Sequence, residues 1–214
     1  MTKRSVMRAT APPAVKDAAR VATRREQIAE SALRLFRVRG YQNTAVREIA
    51  EAVGFSVGSL FNYFRSKEQI LHFIYDQAHD SIERAVEAVE REVAADPEIA
   101  LRHALDRYLT IIEQHQDHVI LVYQDFKSLD GRAKRQVLDR ERRIMDVFAR
   151  IIETGVRHGR FRKRSVAVTV NTIMVLGHAW ALRAWALRNT VPLDDYKRTQ
   201  IDMILAALEP QKES

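Results

Sequence analysis

The sequence predicts an all-α protein, a small three-helix head followed by a larger helical body. Three observations carry this. Apolar residues recur at helical spacing throughout, and no run of β-branched residues bounded by turn signals alternates as a strand would. The stretch from Thr44 to Lys67, TAVREIAEAVGFSVGSLFNYFRSK, has two short apolar-faced segments joined at Gly54 and a third helix start behind them. Charge is segregated as well: residues 1–66 hold 12 Lys and Arg against 5 Asp and Glu, whereas residues 67–214 hold 23 against 23. A basic head on a neutral body is the electrostatic footprint of a nucleic-acid binder whose body has a separate task.

Composition sets the outer bounds. A chain of 214 residues that is 46% hydrophobic has room for one small and one larger core. The absence of cysteine excludes disulfides, thiol catalysis and thiolate zinc motifs, and suits a reducing cytoplasm. The first twenty residues have no apolar run of the kind a secretory signal needs.

Residues 1–22, with Pro12, Pro13 and scattered Lys3, Arg4, Arg8, Lys16 and Arg20, are expected to form a flexible basic arm, solvated, that could add phosphate or minor-groove contacts. The head is expected over residues 23–70. Its first helix runs from about Thr23 to Arg39, with Ile28, Ala29, Ala32, Leu33 and Phe36 on one face, and Gly40 stops it. Thr44 is the expected N-cap of a second helix that turns Val46, Ile49, Ala50 and Val53 inward, and Gly54 ends it. Ser56 caps the third, which buries some of Val57, Leu60, Phe61 and Phe64 and leaves Gly58, Ser59, Asn62 and Tyr63 outward. Ala50 is small enough for a close helix crossing, and Leu60 falls where the crossing helix must bury a residue. This is helix-turn-helix spacing, in which the later helix enters the major groove of double-stranded DNA. Ser66 and Gln69 have capping-box spacing for the next helix, where Lys67 opposes the helix dipole and so suggests an outside anion, a DNA phosphate. Thr44 and Lys67 are therefore the expected phosphate contacts, and Arg47, Ser59, Asn62 and Tyr63 the residues facing bases or phosphates beside Gly58.

The segment from Ile28 to Leu71 resembles the DNA-binding head of the tetracycline-repressor (TetR) family through Ala32, Leu35, Phe36, Gly40, Thr44, Ile49, Ala50, Val53, Gly54, Gly58, Leu60, Tyr63, Phe64, Lys67 and Leu71. Phe61 departs from the pattern. It stands where the family usually has a tyrosine whose hydroxyl reaches phosphate, so the resemblance implies that this contact is missing.

The body, residues 71–214, opens with an uninterrupted helical stretch from Lys67 to about Val93, a strut of roughly 40 Å at 1.5 Å per residue. His72, Asp76 and His79 lie on one side of it and are expected to be a polar stripe, and His115 and His118 solvated groups at a helix junction; no metal site and no cofactor is expected. Further breaks fall at Asp96-Pro97, Gln116-Asp117, Ser128 to Gly131, Gly155 to Arg164 and Asn189 to Pro192. Val166 to Leu182 carries no Asp, Glu, Lys or Arg. With Asn171, Thr172, Gly177 and His178 in its middle and no companion span, it is expected to be buried on all sides rather than in a membrane. One face would meet its own core and another a partner subunit. The last helix, about Asp194 to Leu208, offers Tyr196, Ile201, Ile204, Leu205 and Leu208 for the same four-helix homodimer interface, with Trp180 or Trp185 buried there. Such a dimer presents two heads to a palindromic operator with half-sites about 34–36 Å apart or a multiple of this.

From Tyr108 to Arg188 the body resembles the ligand-binding part of TetR-type regulators of fatty-acid, steroid and aromatic-acid degradation, through IIEQHQDHVILVYQDF, RERRIMDVFARIIETGVRHGRFR and HAWALRAW. The resemblance implies a small-molecule effector of acyl-CoA type. An acyl-CoA needs an apolar slot with cations at its mouth; Arg135, Arg140, Arg142, Arg143, Arg150, Arg157 and Arg160 could supply them, or could instead pair with Asp139, Glu141, Asp146 and Glu153 on a solvated face. Tyr108, Tyr123, Arg143, Asn171 and His178 are the expected ligand contacts, and the strut the element the ligand moves. The alternative is a small-molecule-binding helical enzyme with an appended DNA-binding head. No nucleophile–base–acid spacing, Gly-rich phosphate loop or metal set supports it.

Overall fold

The computed structural model describes residues 15–89 and 96–210, and its regular elements among them are all helical. They are α1 (Val15–Arg39), α2 (Val46–Ala52), α3 (Val57–Phe61), α4 (Lys67–Glu87), α5 (Pro97–Gln114), α6 (Gln116–Asp125), a 3₁₀ turn (Phe126–Ser128), α7 (Gly131–Arg157), α8 (Val166–Leu187) and α9 (Leu193–Leu208).

Local chemistry sets most boundaries. Asp96 caps α5 with Pro97 in its first turn, and Asp130 accepts from the Arg132 and Ala133 amides at the start of α7. Ser56 and Ser66 cap α3 and α4. Gly54 makes the α2–α3 turn at φ +73°, a conformation other residues adopt only under strain.

Three expectations change. Residues 15–22 are helical and belong to α1, not to an arm; residues 1–14 lie outside those described. The polar turns before Ile28 lack an apolar face to betray the helix. The N-cap of α2 is Ala45, whose amide donates to the Glu48 carboxylate at 2.8 Å, while Thr44 turns inward and donates to the Gly40 carbonyl oxygen at 2.9 Å. The strut ends at Glu87, about 31 Å long at 1.5 Å per residue, and Val93 lies outside the described residues.

The head core packs Ile28, Ala32 and Phe36 of α1 against Ile49, Ala50, Leu60 and Phe64, and continues through Leu71 and Tyr75 of α4 to Leu121, Leu129 and Val137 of the body. Each of the larger buried side chains, the Ile, Leu and Phe of this set, contributes roughly 1.5–3 kcal/mol. Of the four candidate inward residues, Leu60 on α3 and Phe64 just beyond its end are buried, whereas Val57 and Phe61 are exposed.

The second core lies among α5, α7, α8 and α9, where Tyr108 crosses α8 at Gly177 so closely that any Cβ there would overlap the phenol ring. Helix α8 is long and apolar enough to cross a membrane, but one of its faces is spent on this core through Ile173, Met174, Trp180 and Ala181. The opposite face, with Val168, Asn171, Thr172 and Val175, is open in the single chain. Ile201 and Leu205 of α9 are buried in the chain's own core, not free for a partner. Trp180 is buried there too, against Tyr196 and with its indole N–H donated to Glu113, whereas Trp185 is 79% exposed.

Candidate nucleic-acid interface and ligand cavity

On the head, Gly58 and Asn62 are exposed on α3 and at its end, Ser59 is half-buried, and Tyr63 stacks on Phe55 with ring centres 5.8 Å apart. The Ser59 hydroxyl shares a 2.8 Å hydrogen bond with that of Ser56. Arg47, exposed on α2, is held by Glu51 one turn on at 2.7 Å, which raises its already high pKa. Two further residues join this surface, Arg20, expected only as part of a basic arm, and Arg24, which sequence reasoning missed: both lie on α1 and line a shallow depression with Phe55, Ser59, Asn62 and Tyr63. Arg20 falls in the stretch whose pattern reads as an arm, and Arg24 precedes the first apolar residue of the helix face.

Thr44 and Lys67 stand differently. Thr44 is 1% exposed and its hydroxyl is committed to Gly40. The Lys67 ammonium donates to the carbonyl oxygens of Tyr41 at 2.8 Å, Thr44 at 2.9 Å and Gln42 at 3.4 Å, and lies 4.4 Å from the Tyr41 ring centre. The negative partner that its place in the helix demands is thus the chain's own turn. Lys67 ties that turn to α4.

In the body a cavity of about 320 Å³ opens between α4, α5, α6, α7 and α8. Tyr108, Tyr123 and His178 line it, and the Tyr123 hydroxyl and His178 Nδ1 are 3.1 Å apart. Arg143 and Asn171 do not. Arg143 lies 3.7 Å from Glu83 on the outer side of α7, and Asn171 is on the open face of α8. The arginine row is largely consumed by ion pairs, several to acids other than those on its own helix: Arg140 reaches Asp76 at 3.1 Å, Asp80, and Glu83 at 3.7 Å, Arg142 reaches Asp139, and Arg160 reaches Asp96 and Glu98. Lys127 is the one Lys or Arg among the described lining residues, and it is exposed.

Histidines replace the expected arginines. His79, His115, His118 and His178 line the cavity with Glu141, so His115 and His118 are wall residues rather than solvated groups. Burial holds His118 and His178 neutral, each at about 4, and raises the Glu141 carboxyl above its ordinary value. No set of three or more His, Asp or Glu among the described residues is placed to hold a metal ion.

Helix α6 connects the two regions. Its His118, Val119, Val122 and Tyr123 face the cavity, while Asp117 pairs with Arg37 of α1 at 2.8 Å and Asp125 accepts the Tyr41 amide at 3.3 Å.

Residues 28–74 match the family model described as bacterial regulatory proteins, tetR family, and residues 94–185 match that of the tetracyclin repressor-like C-terminal domain. The chain is 31% identical over 184 residues to the HTH-type transcriptional regulator HbdR of Aromatoleum sp. (strain CIB), covering 85% of this chain and 79% of that one. The fold is similar to that of the TetR-family regulator PfmR from Thermus thermophilus, at 28% identity and TM-score 0.74 over 86% of this chain and 99% of that one. It is also similar to AibR crystallised with isovaleryl coenzyme A and operator DNA, at 21% identity and TM-score 0.73 over 84% and 97% of the two chains.

Proposed function

The chain belongs to the tetR family of bacterial regulatory proteins, and on that premise we propose that it is a homodimeric repressor released from a palindromic operator when an acyl-CoA fills the cavity between α4 and α8. The cytoplasm, where operator DNA and CoA thioesters meet, is its place of action. AibR, of similar fold, binds both classes of partner.

Arg47, Ser59, Asn62 and Tyr63 face the operator, with Arg20 and Arg24 beside them. Gly58 lets the α3 backbone approach it closely: a Cβ there would meet nothing nearer than the Ser56 hydroxyl at 3.9 Å, so the fold itself does not require glycine. Thr44 and Lys67 act by shaping the α1–α2 turn. Two copies pair through the open faces of α8 and α9, where Val168, Val175, Trp185 and Met203 are each at least half exposed.

The single observation that carries the gating scheme is α6, whose one side lines the cavity and whose ends hold Arg37 and Tyr41 of the head. A ligand shifts the equilibrium only by binding one conformation better than another. By spreading α6 and α4 it moves the two heads out of register with successive major grooves. Coupling is reciprocal, so operator DNA weakens ligand affinity by the same factor, about 5- to 150-fold for a coupling of about 1–3 kcal/mol. Calorimetric titration of medium-chain and aromatic acyl-CoAs into free and operator-bound protein tests this. Equal affinities in the two states would sink the scheme.

A further inference from the structure

Helix α3 turns an apolar flank to solvent. Phe61 is 46% exposed, and Val57, one turn before it on the same side, is 37% exposed. Phe61 is the one exposed aromatic side chain among the described residues of the head: Phe36, Tyr41 and Phe64 are buried, and Phe55 and Tyr63 stack on each other. The head core does not claim the ring, since Leu60 and Phe64 supply the core contacts of this segment.

Helical winding sets the direction in which the ring points. It continues past the end of α3, where the Phe64 amide donates to the Leu60 carbonyl oxygen at 3.1 Å. At 3.6 residues per turn, with Leu60 directed to the core, Gly58 and Asn62 are outermost, and Ser59 and Phe61 flank them on opposite sides. The Ser59 side is polar and basic, because Ser59, Asn62 and Tyr63 share a depression with Arg20 and Arg24. The other side is formed by Val57 and Phe61, whose side chains have no hydrogen-bonding group.

The major groove displays one apolar group beside its donors and acceptors, the C5 methyl of thymine. We propose that Phe61 reads a thymine methyl in each half-site of the operator, with Gly58 bare enough to bring the ring to the base edges and Val57 shielding the contact from water. The inference rests on the chain being an operator-binding repressor and names a base that it selects. DNA is the occupant that the surrounding charge fits: residues 1–66 hold 12 Lys and Arg against 5 Asp and Glu, an excess that the phosphate strands complement. A phosphate is not the ring's own target, because phenylalanine has no donor to offer it. A wedge into the minor groove is ruled out by the ring's place on a helix, which the narrow minor groove does not admit.

The test first selects duplexes from a randomised DNA pool with the full-length wild type. The selected sequence is then synthesised with deoxyuridine in place of thymidine at one position at a time, which removes the methyl and leaves every hydrogen-bonding group. One thymine per half-site is expected at which this loss weakens the wild type about fourfold, and roughly tenfold or more when both half-sites are altered. Phe61→Ser should bind the thymine and uracil duplexes equally, whereas Phe61→Leu, still apolar, should keep the discrimination. Both variants should melt close to the wild type, as the ring is outside the core. Wild-type indifference to every thymine methyl, undiminished discrimination by Phe61→Ser, or unfolding of that variant would each overturn the assignment while the repressor reading stands. Failure to select any duplex would overturn both.

Discussion

The ammonium of Lys67 donates to the carbonyl oxygen of Tyr41 at 2.8 Å and lies 4.4 Å from the centre of that residue's ring. Tyr41 in turn donates its hydroxyl to Glu68 at 3.1 Å and its amide to Asp125 of α6 at 3.3 Å. The turn before α2 is thereby fastened to α4 and to the body.

Replacing Lys67 by Ala is expected to destabilise the protein by about 1 kcal/mol or more, since the part-buried carbonyls of Tyr41 and Thr44 lose their donor. Operator affinity should fall for all sequences while the slope of log affinity against log salt stays unchanged, because no phosphate contact is lost. A slope reduced by about one with stability intact would make Lys67 a phosphate ligand instead.

Gly58→Ala separates folding from DNA contact. Alanine should stabilise α3 by roughly 0.5–1 kcal/mol, as the added methyl meets only the Ser56 hydroxyl, at an ordinary contact distance of 3.9 Å. Affinity for the operator should nevertheless drop at least tenfold in a mobility-shift titration. Undiminished affinity would remove the close backbone approach.

The dimer interface is tested on the open faces. Val175→Asp on α8 or Met203→Asp on α9 alters residues 50% and 60% exposed in the single chain, so each variant should fold and sediment as a monomer at micromolar concentration. Ile201→Asp and Leu205→Asp should unfold the body instead, because those residues are at most 7% exposed in its own core. Melting curves beside sedimentation velocity distinguish the two outcomes.

His118 makes stability depend on pH in a defined direction. Its folded pKa, lowered by burial to about 4, lies below the ordinary 6.5, so the unfolded chain binds more protons between these values. Its contribution is complete above pH 6.5 and is lost as the pH falls towards 4. Glu141, raised by burial, acts with the opposite sign where the windows overlap. The measurement therefore compares denaturation midpoints of the wild type and His118→Gln across this range; the variant should lose less stability on acidification.

Much of this organisation was legible in the chain itself. The seryl caps at Ser56 and Ser66, the turn at Gly54, the Asp96-Pro97 start of α5 and the inward set Ile49, Ala50 and Leu60 are consequences of backbone chemistry and periodicity acting within a turn or two. They determined an all-α chain with a helix-turn-helix head. They also placed Tyr108, Tyr123 and His178 on helices that meet at one cavity. What partners Lys67, which faces of α8 and α9 stay open, and whether arginines or histidines line the cavity were decided by the tertiary structure alone. Each depends on groups far apart in sequence: Lys67 and Tyr41 are 26 residues apart, Arg140 and Asp80 are 60, and Tyr41 and Asp125 are 84. A charge at a helix start calls for an opposite partner, but local rules cannot say whether a phosphate or the protein's own carbonyls will supply it. Only the packing of α4 against the α1–α2 turn brings those carbonyls within reach.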